Sequence, residues 1–257
     1  MIIVLAGTIE GREICSRLQE AGWPVLASVT SSWGTDLLQA QGFINTVQGN
    51  LSRDGLVALI GDTQANMVID ATHPFAATIS REAMEATQQC DIDYLRLERP
   101  AAQIPLDPLV IRITELEAVE NYLLDGQRVL STLGSKSLAD MVPIMSRKNT
   151  ELTARVLPSS TVLKTCEGLG LRPNQIIAMQ GPFSLKLNLE IFKQYRAEMI
   201  ISKESGAPGG LEAKIGAALQ MGIPILIWSR PQLNYPRLFA SSQALMEYIN
   251  DKGRDLS

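Results

Sequence analysis

Short uninterrupted apolar runs alternate along the chain with segments in which apolar residues recur every three or four positions. Such runs are typical of strands buried on both faces of a parallel sheet, and the recurring spacing is typical of amphipathic helices. Strands that alternate with helices predict right-handed βαβ units. In the first hundred residues the predicted strands lie at 2–5, 24–29, 44–47, 67–70 and 94–97, and the predicted helices at 10–21, 51–60 and 75–88.

Prolines at positions 100, 105 and 108 interrupt this alternation, and residues 113–124 then have helical spacing. The alternation resumes with predicted strands at 128–133, 152–157, 176–179, 199–202 and 223–228, and helices at 160–169, 184–195, 209–220 and 241–249. Ser184, and Ser241 or Ser242, are the predicted helix caps.

The pattern therefore predicts an α/β fold with two Rossmann-like domains and mostly parallel sheets. We expect a cofactor-binding domain at 1–114, with strand order 3-2-1-4-5, and a second domain at 115–257. In such sheets ligands bind at the carboxyl ends of the strands.

Composition narrows the function classes. A net charge of −4 over 257 residues argues against a broad nucleic-acid surface, so an acidic ligand would need a local cluster of Arg and Lys. Three widely spaced cysteines without a C-x-x-C pair, and a single histidine, give little from which to build a metal site. No apolar run approaches the ~18–20 residues of a membrane span, and we expect a cytoplasmic protein.

A glycine turn follows the first strand, in the segment Ala6-Gly-Thr-Ile-Glu-Gly-Arg12. A strand, a tight turn and a helix direct backbone N–H groups and the helix dipole toward a phosphate, and Thr8 and Arg12 have side chains that suit one. Only Gly7 and Gly11 of the G-x-G-x-x-G pattern are present. An α/β domain that binds nothing could begin in the same way.

The end of the second strand, Ser28-Val-Thr-Ser-Ser-Trp-Gly34, contains no acidic residue. NAD-binding folds place a carboxylate on the ribose about 20 residues after the glycines. Hydroxyl groups such as that of Thr30 would instead tolerate a 2′-phosphate, so NADP is favoured over NAD if a dinucleotide binds. A plain polar loop explains this segment equally well.

Two polar loops follow the fourth and fifth strands. The first contains His73, the only histidine, which is a candidate for proton transfer near neutral pH. A lone histidine before a proline is also typical of a structural loop. In the second, Arg96 and Arg99 could bind substrate carboxylates, or Glu98 could pair with one of them.

A further anion site is predicted between Ser202 and Lys214. Lys203 lies at the end of a predicted strand, glycines follow from Gly206 to Gly210, and Lys214 lies four residues after Gly210 on the next predicted helix. Backbone N–H groups at such a turn, together with lysines, favour anions. A flexible loop before a helix is the alternative interpretation.

Together these segments resemble the precorrin-6A reductase family of cobalamin biosynthesis. The pair Val68-Ile-Asp-Ala-Thr-His-Pro-Phe-Ala76 and Leu95-Arg-Leu-Glu-Arg-Pro100 is far more specific than a glycine turn. Ala6 stands where the family usually has a first glycine. The other matching segments are Leu5-Ala-Gly-Thr-Ile-Glu-Gly-Arg12, Leu130-Ser-Thr-Leu-Gly134, Gln180-Gly-Pro-Phe183, Lys203-Glu-Ser-Gly206 with Gly209, Gly210 and Lys214, and Gly222-Ile-Pro224 through Arg230-Pro231.

The resemblance implies an active site in a cleft between the domains, and NADPH-dependent reduction of precorrin-6A, or its cobalt form, to the 6B state by hydride transfer. It implies a tetrapyrrole polycarboxylate as substrate and no metal ligands. The expected cofactor-binding residues are Gly7, Thr8, Glu10, Gly11, Arg12, Thr30, Thr72, Gly134, Gly209 and Gly210. The expected substrate-binding residues are His73, Arg96, Arg99, Lys203, Ser205, Lys214 and Arg230.

Some questions stay open from the sequence. The proton donor could be His73, Lys203 or solvent, and the metal state of the substrate leaves no signature. A monomer is compatible with the sequence, which does not define the oligomeric state. The alternative functions are a non-enzymatic NADP-binding sensor, or another two-domain α/β transferase acting on an acidic small molecule.

Overall fold

A computed structural model describes residues 1–205 and 209–255, and the chain divides into two compact units. Unit 1 joins Met1–Pro100 to the segment that begins at Pro231, and unit 2 is Ala101–Arg230. Each unit contains one six-stranded sheet in which every pair of neighbouring strands is parallel. The predicted α/β class with parallel sheets is confirmed.

The chain first forms unit 1 with β1 (Ile2–Leu5), α1 (Ile9–Glu20), β2 (Val25–Val29), α2 (Ser32–Gln39), β3 (Thr46–Gln48), α3 (Arg53–Thr63), β4 (Met67–Asp70), α4 (Ala77–Gln89) and β5 (Asp93–Leu97). Unit 2 has β6 (Val110–Ile113), β7 (Arg128–Ser131), α5 (Leu138–Ser146), β8 (Glu151–Val156), α6 (Ser160–Gly168), β9 (Ile176–Ala178), α7 (Leu185–Gln194), β10 (Met199–Lys203), α8 (Leu211–Met221) and β11 (Ile225–Trp228). Short 3₁₀ helices lie at Leu116–Tyr122, Ser135–Ser137 and Pro173–Gln175. The chain then returns to unit 1 with β12 (Leu238–Phe239) and α9 (Ser242–Asp255).

The sheet of unit 1 has the order β12-β5-β4-β1-β2-β3, so the predicted order 3-2-1-4-5 is confirmed and a sixth strand is added. All four residues of β1 are buried, as a central strand covered on both faces requires. One face packs against apolar side chains of α1 and α9, and the other against those of α3 and α4. This burial fixes the carboxyl ends of β1, β4 and β5 beside one another.

The sheet of unit 2 has the equivalent order, β6-β11-β10-β7-β8-β9. One face packs against α5 and α6, and the other against α7 and α8. The carboxyl ends of β8 and β10 are thereby set on either side of the end of β7, next to the start of α8. The predicted cap Ser184 accepts a hydrogen bond from Leu187 N at 3.2 Å, and Ser241 caps α9 in the same way through Ala244 N.

The unit boundaries differ from the expected division at residue 114. Leu238 of β12 pairs with Arg96 of β5, which carries the C-terminal segment into unit 1. Ile225 of β11 pairs with Val110 of β6, which carries the segment before residue 114 into unit 2. Each sixth strand thus pairs with a strand that is distant in sequence, and strand pairing of this kind has no local signal.

Three elements also differ from the local predictions. Residues 113–124 hold the last residue of β6 and a 3₁₀ helix in place of a regular helix. The segment 28–34, for which the sequence left open a cofactor contact or a plain polar loop, contains Ser31 as the cap of α2, a helix that was not predicted. The helix α5 was not predicted, although its residues Leu138 and Met141 are fully buried. None of the helices in the described ranges combines the length and hydropathy that a membrane span requires.

Candidate functional site

In unit 1, the loops after β1 and β4 are joined by the hydroxyl of Thr8. This residue caps α1: its Oγ1 accepts a hydrogen bond from Gly11 N at 3.1 Å and donates one to the main-chain oxygen of Ala71 at 2.9 Å. The hydroxyl is therefore used within the protein, whereas the sequence predicted that it would face a phosphate. The main-chain N–H groups at the start of α1 remain the phosphate-binding groups that the turn can offer.

Gly11 allows the start of α1 to pack directly on the strand ends. A Cβ at this position would lie 2.8 Å from the Cα of Ala6 and 3.2 Å from the Cβ of Ala71. Close packing of helix on strand is the role of the last glycine in dinucleotide-binding turns. At Gly7 a Cβ would lie 3.6 Å from the nearest protein atom, in Thr72, which is an ordinary contact. Packing within the protein therefore requires glycine at 11 and not at 7.

The N-terminus of α1 carries a carboxylate, that of Glu10, which forms an ion pair with Arg99. Burial alone would raise the pKa of Glu10, but a hydrogen bond to its own main-chain N–H, the charge and hydrogen bond of Arg99, and the hydroxyl of Thr8 lower it. Arg12, in the first turn of α1, is half-buried and makes no ion pair with any residue in the described ranges. The helix start therefore combines one acidic and two basic side chains.

A buried network holds the loop after β4. Arg96 Nη1 donates to Asp70 Oδ1 at 2.7 Å and to Thr72 Oγ1 at 3.0 Å, while Nη2 donates to the main-chain oxygen of Thr72 at 3.1 Å. Nη2 and Nε also donate to Glu98 Oε2, at 2.6 and 3.0 Å. Tyr94 donates to the second oxygen of Asp70 at 2.7 Å. Both members of the Arg96–Asp70 pair have fully buried side chains.

This network changes the roles expected for Arg96 and Thr72. All the N–H groups of Arg96 have acceptors inside the protein, so this side chain is not placed to bind a substrate carboxylate. The structure instead has the alternative arrangement, in which Glu98 pairs with Arg96. Thr72 Oγ1 donates to Asp70 at 2.7 Å and is likewise used internally. Burial would raise the pKa of Asp70, but the charge of Arg96 and hydrogen bonds from Ser80, Thr72 and Tyr94 lower it.

His73 follows Thr72 in the loop that this network holds. Its Nδ1 accepts a hydrogen bond from Phe75 N at 3.2 Å, and its ring centroid lies 5.8 Å from that of Phe75. An accepting Nδ1 places the proton of a neutral imidazole on Nε2. The side chain is partly exposed. Thr30, at the end of β2, is exposed beside the N-terminus of α2.

In unit 2, three basic side chains approach one another at the carboxyl ends of β8 and β10. We call Arg155, Lys203 and Lys214 the cation cluster. Burial, followed by the charges of Arg155 and Lys203, lowers the pKa of Lys214 to about 7. Burial and the charge of Lys136 lower the pKa of Lys203, and burial lowers that of Arg155 to about 10.

The partners of Arg155 and Lys214 are neutral. Lys214 Nζ lies 3.3 Å from Ser202 Oγ, and Arg155 Nη1 donates to Asn188 Oδ1 at 2.8 Å. The guanidinium carbon of Arg155 lies 4.3 Å from the ring centroid of Phe183. In the described part of the chain, neither cation contacts a carboxylate, although each is only 6% exposed. A buried cluster of this charge is suited to an anion with several carboxylates.

Other residues expected in the site lie around this cluster. Gly209 lies against the side chain of Ser205, and Gly210 precedes α8 with φ +64°. Gly134 follows β7 with φ +86° and ψ −178°, a conformation that only glycine adopts readily. Arg230 is buried, and its Nε donates to the main-chain oxygen of Glu204 at 3.1 Å. Gly206, also expected in the anion loop, lies outside the described residues.

The sequence pattern did not reveal Arg155 or Asn188. Arg155 lies in an ordinary strand and Asn188 within an ordinary amphipathic helix, so neither position carries a turn or motif signal. Within residues 1–205 and 209–255 there is no group of three or more His, Cys, Asp or Glu side chains that could hold a metal ion.

Comparison with known proteins gives concordant matches. Residues 1–250 match the sequence family described as precorrin-6x reductase CbiJ/CobK. The chain is 38% identical to a cobalt-precorrin-6A reductase of Methanothermobacter thermautotrophicus over 99% of this chain and 85% of that protein. It is 34% identical to that of Salmonella typhimurium over 90% and 87% of the two chains.

Among solved structures, the fold is similar to that of a CobK precorrin-6A reductase. The TM-score is 0.78, with 24% identity over 98% of this chain and 96% of that chain. A precorrin-6A reductase of Rhodobacter capsulatus is 26% identical over 98% of this chain and 96% of that protein.

Proposed function

Because the chain belongs to the precorrin-6x reductase CbiJ/CobK family, we propose that it reduces precorrin-6A, or the cobalt form, to the 6B state with NADPH. The cation cluster is the observation that carries the assignment of substrate class. The cobalt form is the first substrate to test, since the relatives at 38% and 34% identity bear that name and the Rhodobacter relative at 26% does not.

The substrate is a tetrapyrrole with several carboxylates, and the proposed site for them is the cation cluster. Burying two cations with neutral partners costs free energy in the free protein, and the binding of anionic groups offsets this cost. The stabilisation is largest at Lys214, because a bound anion favours its protonated, charged form, which the protein surroundings disfavour. Ser205 and Arg230, near the same strand ends, remain expected substrate contacts. Gly134, Gly209 and Gly210 remain expected cofactor contacts.

The residues of unit 1 fit a dinucleotide phosphate. The tight packing at Gly11 brings the N–H groups of α1 to the strand ends, and Arg12 has no ion-pair partner in the described residues. A phosphate at these N–H groups would compete with the carboxylate of Glu10, and its partner Arg99 would then face the phosphate. No acidic residue lies between Ser28 and Gly34, which favours NADP over NAD.

When bound, NADPH supplies the hydride, and the chain supplies orientation, exclusion of water and a proton. Two side chains are candidates for the proton donor. His73 carries its proton on Nε2 when neutral, because its Nδ1 accepts from Phe75 N. Lys203 has a lowered pKa, which makes proton release easier than from an exposed lysine. The Arg96–Asp70 network acts on the reaction by fixing the loop that carries His73.

The direct test is turnover. Purified protein is expected to oxidise NADPH only when the 6A-level tetrapyrrole is present, with NADPH preferred over NADH, measured by the loss of nicotinamide absorbance and by mass analysis of the product. Absence of turnover with both the cobalt and the metal-free substrate would contradict the proposal. Tight NADP binding without turnover would favour the sensor, and binding of S-adenosylmethionine or a nucleotide sugar in place of NADP would favour a transferase.

A change at Arg12 tests the cofactor site. Arg12→Gln is expected to weaken NADP⁺ binding by about ten-fold or more, since a hydrogen bond to a charged group contributes about 1.5–3 kcal/mol. The measurement is a calorimetric Kd at fixed ionic strength. The matched control is Arg17→Gln on the same helix, where Arg17 pairs with Glu13 and both are largely exposed. Equal affinities of the two variants would place the phosphates elsewhere.

A further inference from the structure

Arg155 is a buried cation whose contacts are with an amide oxygen and an aromatic ring, neither of which carries a net charge. Its Nη1 donates to Asn188 Oδ1 at 2.8 Å, and its guanidinium lies 4.3 Å from the ring of Phe183. A fully buried guanidinium normally takes a carboxylate partner, because an uncompensated charge in the interior is costly. The same chain does so at Arg96, which takes both Asp70 and Glu98.

The orientation of Asn188 is determined by its own hydrogen bonds. Its Nδ2 donates to the main-chain oxygens of Phe183 at 3.3 Å and Ser184 at 2.9 Å. Both amide hydrogens are thereby used, so the amide oxygen is the atom that faces Arg155. The residue is completely buried on α7, behind the cap formed by Ser184. It therefore presents a fixed hydrogen-bond acceptor to Arg155.

An amide oxygen accepts a hydrogen bond but brings no net charge. The positive charge of Arg155 is therefore undiminished where it acts on Lys214, whose pKa it lowers. An aspartate at position 188 is similar in size to asparagine and would neutralise Arg155. It would also remove the affinity of this part of the cluster for an external anion.

We propose that Asn188 is a positioning residue that orients Arg155 without neutralising it, so that a carboxylate of the ligand completes the charge. The identification of that ligand with the substrate rests on the proposed function. The charge argument itself concerns any multivalent anion that the cluster takes.

The test compares Asn188→Asp with Asn188→Leu. Both variants lack the amide N–H groups that bind the carbonyls of Phe183 and Ser184, and both side chains match asparagine in branching and in their number of non-hydrogen atoms. They differ at the group that faces Arg155: aspartate supplies a charged acceptor, whereas leucine supplies no acceptor and no charge. If Asn188 served only as a hydrogen-bond acceptor for Arg155, Asn188→Leu would be the weaker binder, because aspartate keeps an acceptor there. The probe is propane-1,2,3-tricarboxylate, titrated calorimetrically at pH 6 and low ionic strength, with thermal unfolding measured in parallel.

Asn188→Asp is expected to bind the tricarboxylate about ten-fold more weakly than Asn188→Leu, and with a shallower dependence on salt, because one cation is neutralised. Affinities of the two variants within about two-fold of each other would overturn the proposal. So would a wild-type protein that shows no saturable tricarboxylate binding.

A second pair of variants provides the same test if the Asn188 variants do not fold. Phe183 is partly exposed, and Phe183→Glu places a carboxylate beside Arg155 while Phe183→Gln is its neutral match. The glutamate variant is expected to be the weaker binder by a similar factor, and equality would again overturn the proposal. Turnover of the tetrapyrrole by the wild type is measured separately. If the wild type turns over the substrate but the acidic and neutral variants bind the tricarboxylate equally, only this inference is contradicted. If the acidic variants bind more weakly but the wild type shows no turnover, only the proposed function is contradicted.

Discussion

Asp70→Ala is expected to lower the free energy of unfolding by about 3–5 kcal/mol, the largest loss of stability that we predict for a single substitution in unit 1. The change removes one of the two carboxylates that compensate the buried charge of Arg96, leaving Glu98 as the other, and it removes the acceptor of Tyr94. It also releases the main-chain N–H of Thr72, which donates to Asp70 Oδ1 at 2.9 Å. The measurement is equilibrium unfolding by urea at pH 7.

The control for this change is Asp54→Ala, which removes an ion pair between Asp54 and Arg53. The side chain of Asp54 is 85% exposed. Exposed pairs contribute about 0.2–1 kcal/mol, so its effect should be small. The pKa of Asp70 is lower in the folded protein than in the unfolded chain. Its contribution is therefore present above the unfolded pKa of about 3.9 and is lost as the pH falls through the folded value. An acid limb of stability that is the same in wild type and Asp70→Ala would contradict this assignment.

Lys214→Met is expected to stabilise the protein by about 1–3 kcal/mol at pH 7 and to abolish most of its affinity for the anionic ligand. Methionine fills a similar volume without a buried charge next to Arg155 and Lys203. Removing the charge also removes the cation that gains most from an anion. The measurements are thermal or urea unfolding, and the Kd or KM for the tetrapyrrole, which should rise by at least about ten-fold.

The pH dependence of Lys214 has a defined sign. Its pKa of about 7 in the folded protein lies below the unfolded value of 10.5, so between these values the unfolded chain binds more protons. This group therefore makes wild-type stability rise with pH from about 7 to 10.5, and Lys214→Met removes that slope. Affinity for the anion should fall as the pH rises through about 7, where Lys214 loses its charge. Lys193→Met, at an exposed position on α7, is the control.

A destabilised Lys214→Met protein that binds the ligand normally would show that Lys214 serves the fold and not the anion. A stabilised variant with normal affinity would place the anion at Lys203 and Arg155 alone. Only the combination of greater stability and weaker binding supports the role that we propose.

The central strands and the order of the first sheet could be predicted from the sequence. Strands such as β1 and β4 are buried on both faces, so each leaves a continuous apolar run that can be recognised without knowing its neighbours. The strands β6 and β12 could not be recognised in this way. Both lie at the edges of their sheets and are only partly buried, and they are defined by their pairing with β11 and β5. That pairing also determines the unit boundaries.

The candidate site divides in the same manner. Two glycine turns that follow strands can be recognised from the sequence by itself. The first contains Gly11 and is followed by Arg12, and the second lies between Lys203 and Lys214. Arg96 has the same local appearance, yet its burial against Asp70 and Glu98 makes it part of the interior. Arg155 has no local mark at all, because its environment is completed by Asn188, 33 residues further along the chain. The sequence determined where charged side chains meet the ends of strands. Only the tertiary structure decided which charges are neutralised by the protein and which, like those of Arg155 and Lys214, contact no carboxylate among the described residues. Burial and pairing depend on residues brought together from distant parts of the chain.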